Sequence, residues 1–355
     1  MAKIKTPFKF MLVPAAFIIY TFIAAGPIPP ETVMSPQWFV SLETAEAGDT
    51  GEAELIPFEL GDRFGYLDAA GRFSINRLRT GYLSLSASYW AEYTALPEVL
   101  ELRDPRDRSV ISIEGGRGYP LFLEDQIFLI SEDQIRLSAL DEGGDLRWAY
   151  TFASPLTDID AAGGLVLAGC LDGTVELLDA QGRRIFFFEP GGSRLQVILA
   201  CRISRDGSKL AVISGIDDQR FLYLERSGDS YKVGYHEFLA DGFRRPVYLA
   251  FINGDRSIAF ERQGGIGVYS TETRTSRYIP LEGAVAALEG DGRDGLLYVI
   301  TAPSPETKRL AAIRLPGTVI MEAPFRTESV FLGRQGEELF IGGESSIASF
   351  RLERR

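Results

Sequence analysis

The chain has 355 residues, with 37 Lys or Arg against 49 Asp or Glu, a formal net charge of −12. An acidic balance of that size repels polyphosphate, so no nucleic acid is expected as partner. One histidine and two cysteines exclude a Cys/His zinc site and a disulfide-dense scaffold, and 45% hydrophobic residues exclude global disorder.

Lys3, Lys5 and Lys9 precede an uncharged run, residues 10–30. Phe10, Leu12, Phe17, Ile18, Ile19, Phe22, Ile23 and Ile28 make it apolar all round. A helix needs about 20 residues to cross roughly 30 Å of hydrocarbon, and this run suffices. Pro14 is tolerated in a membrane helix, and Pro27, Pro29 and Pro30 end it. Residues 1–30 therefore read as one transmembrane anchor. A cleaved signal, cut after Ile23-Ala24-Ala25, is the competing expectation. The lysines stay cytoplasmic, so the remainder is expected outside the cytoplasm, in the periplasm of a bacterial cell, or secreted after cleavage.

Residues 31–60 hold seven acids and no base. Such a stretch repels itself and reads as an extended acidic linker. Trp38 and Phe39 interrupt it and are expected at the membrane interface.

From residue 61 to 355 a strand–turn–strand pattern repeats. Equivalent strands start at Val99, Ile135, Val175, Phe221, Ile266, Leu310 and Ile347, with spacings of 36, 40, 46, 45, 44 and 37 residues. Strands upstream repeat too, as in LVLAG (165–169), KLAVISG (209–215) and LLYVITA (296–302). Asp206-Gly207 and Gly254-Asp255 are hairpin signals. Seven anchors at this period predict an all-β propeller of seven four-stranded blades. The last repeat ends after three strands, and the hairpin at 62–77 is expected to supply the fourth. If that hairpin forms its own blade, there are eight. A two-layer sandwich is disfavoured by the long-range period.

SRDGSKLAVIS and LDGTVELLD resemble WD-repeat blades. DQIRLSALDEGGDLRWAY resembles the quinoprotein-type repeat, in which a tryptophan, here Trp148, ends the blade. The resemblance covers residues 62–355 and extends loosely to extracytoplasmic propellers of outer-membrane assembly. It implies the fold and a binding role. The lipid-bearing cysteine of the outer-membrane factor is missing, as is the cysteine pair that quinoprotein dehydrogenases set against their cofactor.

Catalytic patterns are scarce. His236 lacks a Gly-x-Ser-x-Gly elbow or another recognisable partner. Cys170 and Cys201 are read as buried free thiols, with a bridge as the rival. Asp291 and Asp294 lie in a turn without calcium-loop spacing. The pairs Arg183-Arg184, Arg244-Arg245 and Arg354-Arg355 are read as solvated. No catalytic, cofactor-binding or metal residue is expected. The reading is a membrane-tethered extracytoplasmic propeller that binds a protein or envelope polymer. The alternative is a carbohydrate-active or other hydrolytic propeller with paired carboxylates in its central cleft.

Overall fold

The computed structural model describes residues 32–354 apart from 96, 115–117, 291 and 293. The expected membrane helix, Phe10 to Ile28, lies outside the described residues. Among those described there is no helix at all, and so none able to cross a membrane. The strands form eight sheets, seven of four strands and one of three. Blades 1 to 7 occupy residues 56–78, 82–114, 119–151, 156–188, 198–239, 249–280 and 284–326. Blade 8 takes residues 330–354 and one strand from the start of the chain, Thr32–Ser41. The ring thus has eight blades rather than seven. Five of the seven sequence anchors fall at or beside the start of a third strand, with Phe221 and Leu310 two and three residues into theirs, and the hairpin at 62–77 forms a blade of its own, blade 1.

Each blade is a meander of antiparallel strands joined by tight turns. In blades 4 to 7 the middle strands are largely apolar on both faces because both faces are covered. Leu165–Cys170 is buried at five of six positions. Eight apolar clusters fill the eight seams between blades. Between blades 5 and 6, Phe221 stacks on Phe260 with centroids 4.4 Å apart. Each fully buried side chain of this size contributes roughly 1.5–3 kcal/mol. Alternation returns on the outermost strands, as in Leu146–Thr151.

The ring closes through the first described strand. Thr32–Ser41 runs antiparallel to the last strand, Ser346–Arg354, as the outer member of blade 8. This corrects two expectations. The segment read as a linker carries strands at Thr32–Ser41 and Ile56–Leu60, and the hairpin at 62–77 does not close the last blade. Nor does Trp38 wait for a membrane. Its Nε1 donates to the Ala69 carbonyl at 2.9 Å, and its ring lies 5.9 Å from that of Phe340. A Cβ on Gly71, which sits at φ +80°, would meet the Trp38 ring at 3.0 Å. Phe39 is 73% exposed. Beyond the strand, Asn76 Nδ2 donates to the carbonyls of Leu42 and Ala45, and Gly48 N–H donates to Phe73 O. The arm therefore covers the outer edges of blades 8 and 1 together.

Blade 1 has three strands for a topological reason. Ile56–Leu60 leads into the turn at 61–62, beside Ser329 and Glu344 at the end of the ring where innermost strands begin. It thus runs opposite to an innermost strand and matches the second strand of other blades. The missing strand is the innermost one. Pro57 cannot donate a backbone hydrogen bond, which suits a strand left as a sheet edge.

On the inner wall, blades 4 and 5 are joined by side chains. Asp158 and Asp160 alternate along the innermost strand Leu156–Ala162. They accept the backbone N–H of Cys201 at 2.7 Å and of Ile203 at 2.9 Å, on the innermost strand of blade 5. An unpaired inner edge is thereby satisfied. Asp158 also accepts Arg202 Nη1 at 2.6 Å. Burial, partly offset by the Ile203 N–H and Arg202, raises the Asp160 carboxyl above its ordinary value.

Three outcomes are expected. Trp38→Ala removes a half-buried indole and its hydrogen bond, and should cost about 2–3 kcal/mol, read as a lower melting midpoint and faster proteolysis of the N-terminal arm. Asp160 holds its proton more tightly when folded, so its contribution to stability falls as pH rises past about 3.9. Asp160→Asn keeps an acceptor for Ile203 without the buried charge. It should raise the melting midpoint at pH 7, with the gain vanishing as pH approaches 4. Asp158→Asn, which removes the carboxylate that Arg202 binds, should lower stability by about 1–3 kcal/mol at pH 7.

Candidate interaction face

The two ends of the ring differ in chemistry. At the lower end, where innermost strands finish, the turns between third and fourth strands repeat one device. Asp68, Asp104, Asp141 and Asp179 each accept two backbone N–H groups through Oδ1, two and four residues ahead. Burial alone would raise the Asp104 carboxyl. The N–H groups of Arg108 and Arg106 and the Arg108 guanidinium outweigh it and hold the group below the ordinary range. These acids are spent on the fold. The hairpin signals named from the sequence lie between first and second strands and leave these turns unassigned; their signal is Asp followed by Gly or Asp three residues on.

At the upper end, where innermost strands begin, large apolar groups face solvent. Tyr82, Leu171, Leu195, Phe238, Tyr248 and Tyr278 are all at least 38% exposed. Tyr82 stacks on Tyr93 at 5.9 Å, and Tyr93 contacts Tyr119 at 6.4 Å. The lower end carries Val110, Leu146 and Ile185, none of them aromatic, while Phe39 and Phe187 are exposed on the upper halves of outermost strands.

Blades 5 and 6 interleave this upper surface with arginines. Glu261, 1% exposed, lies near the end of the strand Ser257–Arg262. A buried carboxylate needs a charged partner. Arg245 supplies it in a two-point pair, Nη2 to Oε1 at 2.7 Å and Nη1 to Oε2 at 3.0 Å. That bond to Glu261 raises the Arg245 guanidinium further. Arg245 also lies 5.0 Å from the Phe243 ring. Arg262 donates to buried Asp241 at 2.6 Å and stands 5.5 Å from the Tyr278 ring. Tyr248 N–H meets Glu261 at 3.3 Å, and its hydroxyl donates to Ala286 O at 2.5 Å. The result is a rigid surface of arginine and aromatic side chains, the types that dominate binding hot spots.

Other residues singled out in the sequence are scattered. His236 is exposed on the outermost strand of blade 5, 6.2 Å from the Phe238 ring. Cys170 and Cys201 are free and buried. Burial pushes the Cys170 thiol up to about 12, and raises that of Cys201 as well. Asp291 lies outside the described residues. Asp294 accepts Arg334 Nη2 at 2.8 Å and the Leu296 N–H at 3.1 Å. No group of three or more His, Cys, Asp or Glu is arranged to hold a metal among the described residues. Of the arginine pairs, Arg183, Arg184 and Arg245 are solvent-exposed as expected, and each is also ion-paired, with Asp179, buried Glu176 and buried Glu261. Arg244 is exposed as expected, and the Arg354 and Arg355 side chains lie outside the described residues.

The hydrolytic alternative required two carboxylates on the inner wall, one of raised pKa. Asp158 and Asp160 meet that description. Both are engaged with the backbone of blade 5, and Asp158 with Arg202 as well. Their geometry assigns them to joining blades.

The chain is 27% identical over 345 residues to an uncharacterized protein of Treponema pallidum (strain Nichols), covering 94% of this chain and 90% of that one. Among solved structures, BamB from Moraxella catarrhalis superimposes with a TM-score of 0.59 at 14% identity, over 90% of this chain and 100% of that one. The Dos1 propeller gives 0.60 at 10% identity, over 90% and 95%. These two likenesses show the fold, and that to BamB agrees with the resemblance read from the repeats. A family model described as beta-propeller protein matches residues 1–354, and the chain belongs to that family.

Proposed function

We propose that the protein is a membrane-tethered extracytoplasmic scaffold whose upper face docks a protein partner. One observation carries this reading: exposed aromatics and fixed arginines gather on one end of the ring. The first described residue supports it. Thr32 pairs with Arg354, at the finish of a third strand, and so leaves the ring at the lower end. A tether formed by residues 1–30 would hold the lower end toward the membrane and turn the upper face outward. Lys3, Lys5 and Lys9 ahead of the apolar run support an outside location. A scaffold needs a rigid platform, which ion-paired arginines and stacked rings provide at little cost in side-chain entropy.

The test uses a photo-crosslinking amino acid at two sites of similar exposure, Leu171 on the upper face and Leu146 on the lower rim, 53% and 58% exposed. In intact cells, a discrete adduct is expected from position 171 and none from 146. Equal labelling at both, or none at 171, overturns the docking face. A phosphatase fused after Arg355 should be active; a silent fusion in a cell that makes the protein overturns the outside location.

A further inference from the structure

The upper end of blade 5 holds two buried polar atoms that nothing satisfies. Ser214 closes the second strand, Lys209–Ser214, and Arg220 stands near the start of the third, Gln219–Ser227. They are direct cross-strand partners, so their side chains leave the same side of the sheet, with Cβ atoms about 5 Å apart. Ser214 is 4% exposed, and its Oγ is buried without a hydrogen-bond partner. Nε of Arg220 is in the same condition. Native structures rarely leave such groups unmet.

The guanidinium is nevertheless fixed. Nη1 donates to Pro190 O at 3.1 Å and Gly191 O at 3.2 Å. The group also lies 5.0 Å from the exposed Phe238 ring. The loop is shaped around it: Gly192 sits at φ +85°, and a Cβ there would stand 2.5 Å from Nη1. Among the described residues, Arg220 meets no carboxylate and Nη2 makes no hydrogen bond. Arg194, close by, is already paired with Asp217 at 3.3 Å.

A held cation with an unmet donor edge is a receptor for an anion. Its planar fork matches a carboxylate. The net charge of −12 and the neighbouring Asp217 and Asp218 favour a single negative charge over a double one. Exposed Phe238 flanks the group, and exposed Leu195 is held to the same blade by the Ile216 N–H, which donates to its carbonyl at 3.0 Å, so an apolar side chain next to the carboxylate would find cover. We infer that Arg220 and Ser214 form a carboxylate-binding site for a partner peptide, with Leu195 and Phe238 taking the adjacent apolar side chain. For Nε and Ser214 Oγ to be reached, the loop gives up its Pro190 and Gly191 carbonyl contacts to Nη1 in exchange for the carboxylate, and Gly191 and Gly192, both at positive φ, supply the backbone freedom for that movement. The inference deepens the docking-face reading and rests on it for the identity of the ligand as a partner's peptide.

The test is an NMR titration of the full chain, following the arginine Hε–Nε signal that disappears in Arg220→Lys. The probes are N-acetyl-leucine, N-acetyl-leucinamide and inorganic phosphate. N-acetyl-leucine should move the signal saturably, and the amide should bind at least about tenfold more weakly. Ser214→Ala, which removes an unsatisfied hydroxyl and should melt no lower than the parent, should weaken binding about threefold or more. No movement, or equal response to the amide, overturns the site. Tighter binding of phosphate overturns the carboxylate assignment. A silent Arg220 with crosslinks intact at position 171 sinks this site and leaves the docking face standing; a responsive Arg220 without crosslinks does the reverse.

Discussion

The constraint on which everything rests is that a blade with two apolar faces cannot end. Each sheet buries one face on the blade before it and one on the blade after. A row of such sheets would expose a hydrophobic face at both ends, so it must bend into a ring. The eighth seam, between blades 8 and 1, is where the chain's two ends meet. It is filled by Ile56, Phe58, Leu67, Phe340 and Ile347. Hydrophobic burial there is nonspecific. Pairing of Thr32–Ser41 with Ser346–Arg354 adds a register, and Trp38 over Gly71 adds a shape that only the native closure satisfies.

Closure also explains why blade 1 departs from its neighbours. The chain arrives at the top of blade 8 after Ser41 and must reach the inside of blade 1. It descends along the outer edge of blade 1, where Asn76 and Phe73 hold it, and enters at Ile56 from below. An innermost strand would have to start from the upper end. The path taken leaves none, and the three-stranded sheet follows from the route of the arm.

Much of this was legible in the sequence. The seven anchors mark third strands because most of those strands, such as Val175–Leu178 and Gly265–Ser270, are buried on both faces and are flanked by turn residues at intervals of 36 to 46 residues. The hairpin at 62–77 reads as the missing strand of the last repeat, rather than as a blade, because RFGYLD, 63–68, comes without an innermost strand and so lacks a full repeat. The segment 31–60 misled through its acids. Most of the acids lie along the arm between the two strands, with Glu59 on the second, while Thr32–Ser41 carries none, and its Trp38 and Val40 pack with Leu42 into the seam between blades 8 and 1. The interaction face was illegible because its parts are remote in sequence. Arg245 and Glu261 are sixteen residues apart, and nothing in an Arg-Arg pair says that one member meets a buried carboxylate. Register decides that, and register was not assigned.

The arginines of this acidic protein divide by where their partners lie. On the lower face Arg72, Arg108 and Arg183 each bind the aspartate of their own turn, four residues back. These pairs are local, exposed and individually weak. On the upper face Arg245 and Arg262 bind nearly buried carboxylates from distant turns and strands, and lie beside aromatic rings. A local pair can reorganise with its turn; a pair anchored in the core cannot. Fixing a side chain before a partner arrives removes the entropy that binding would otherwise have to overcome. A surface rigid at one end and adaptable at the other is therefore directional. The same physics that satisfies buried carboxylates prepares the upper face for contact.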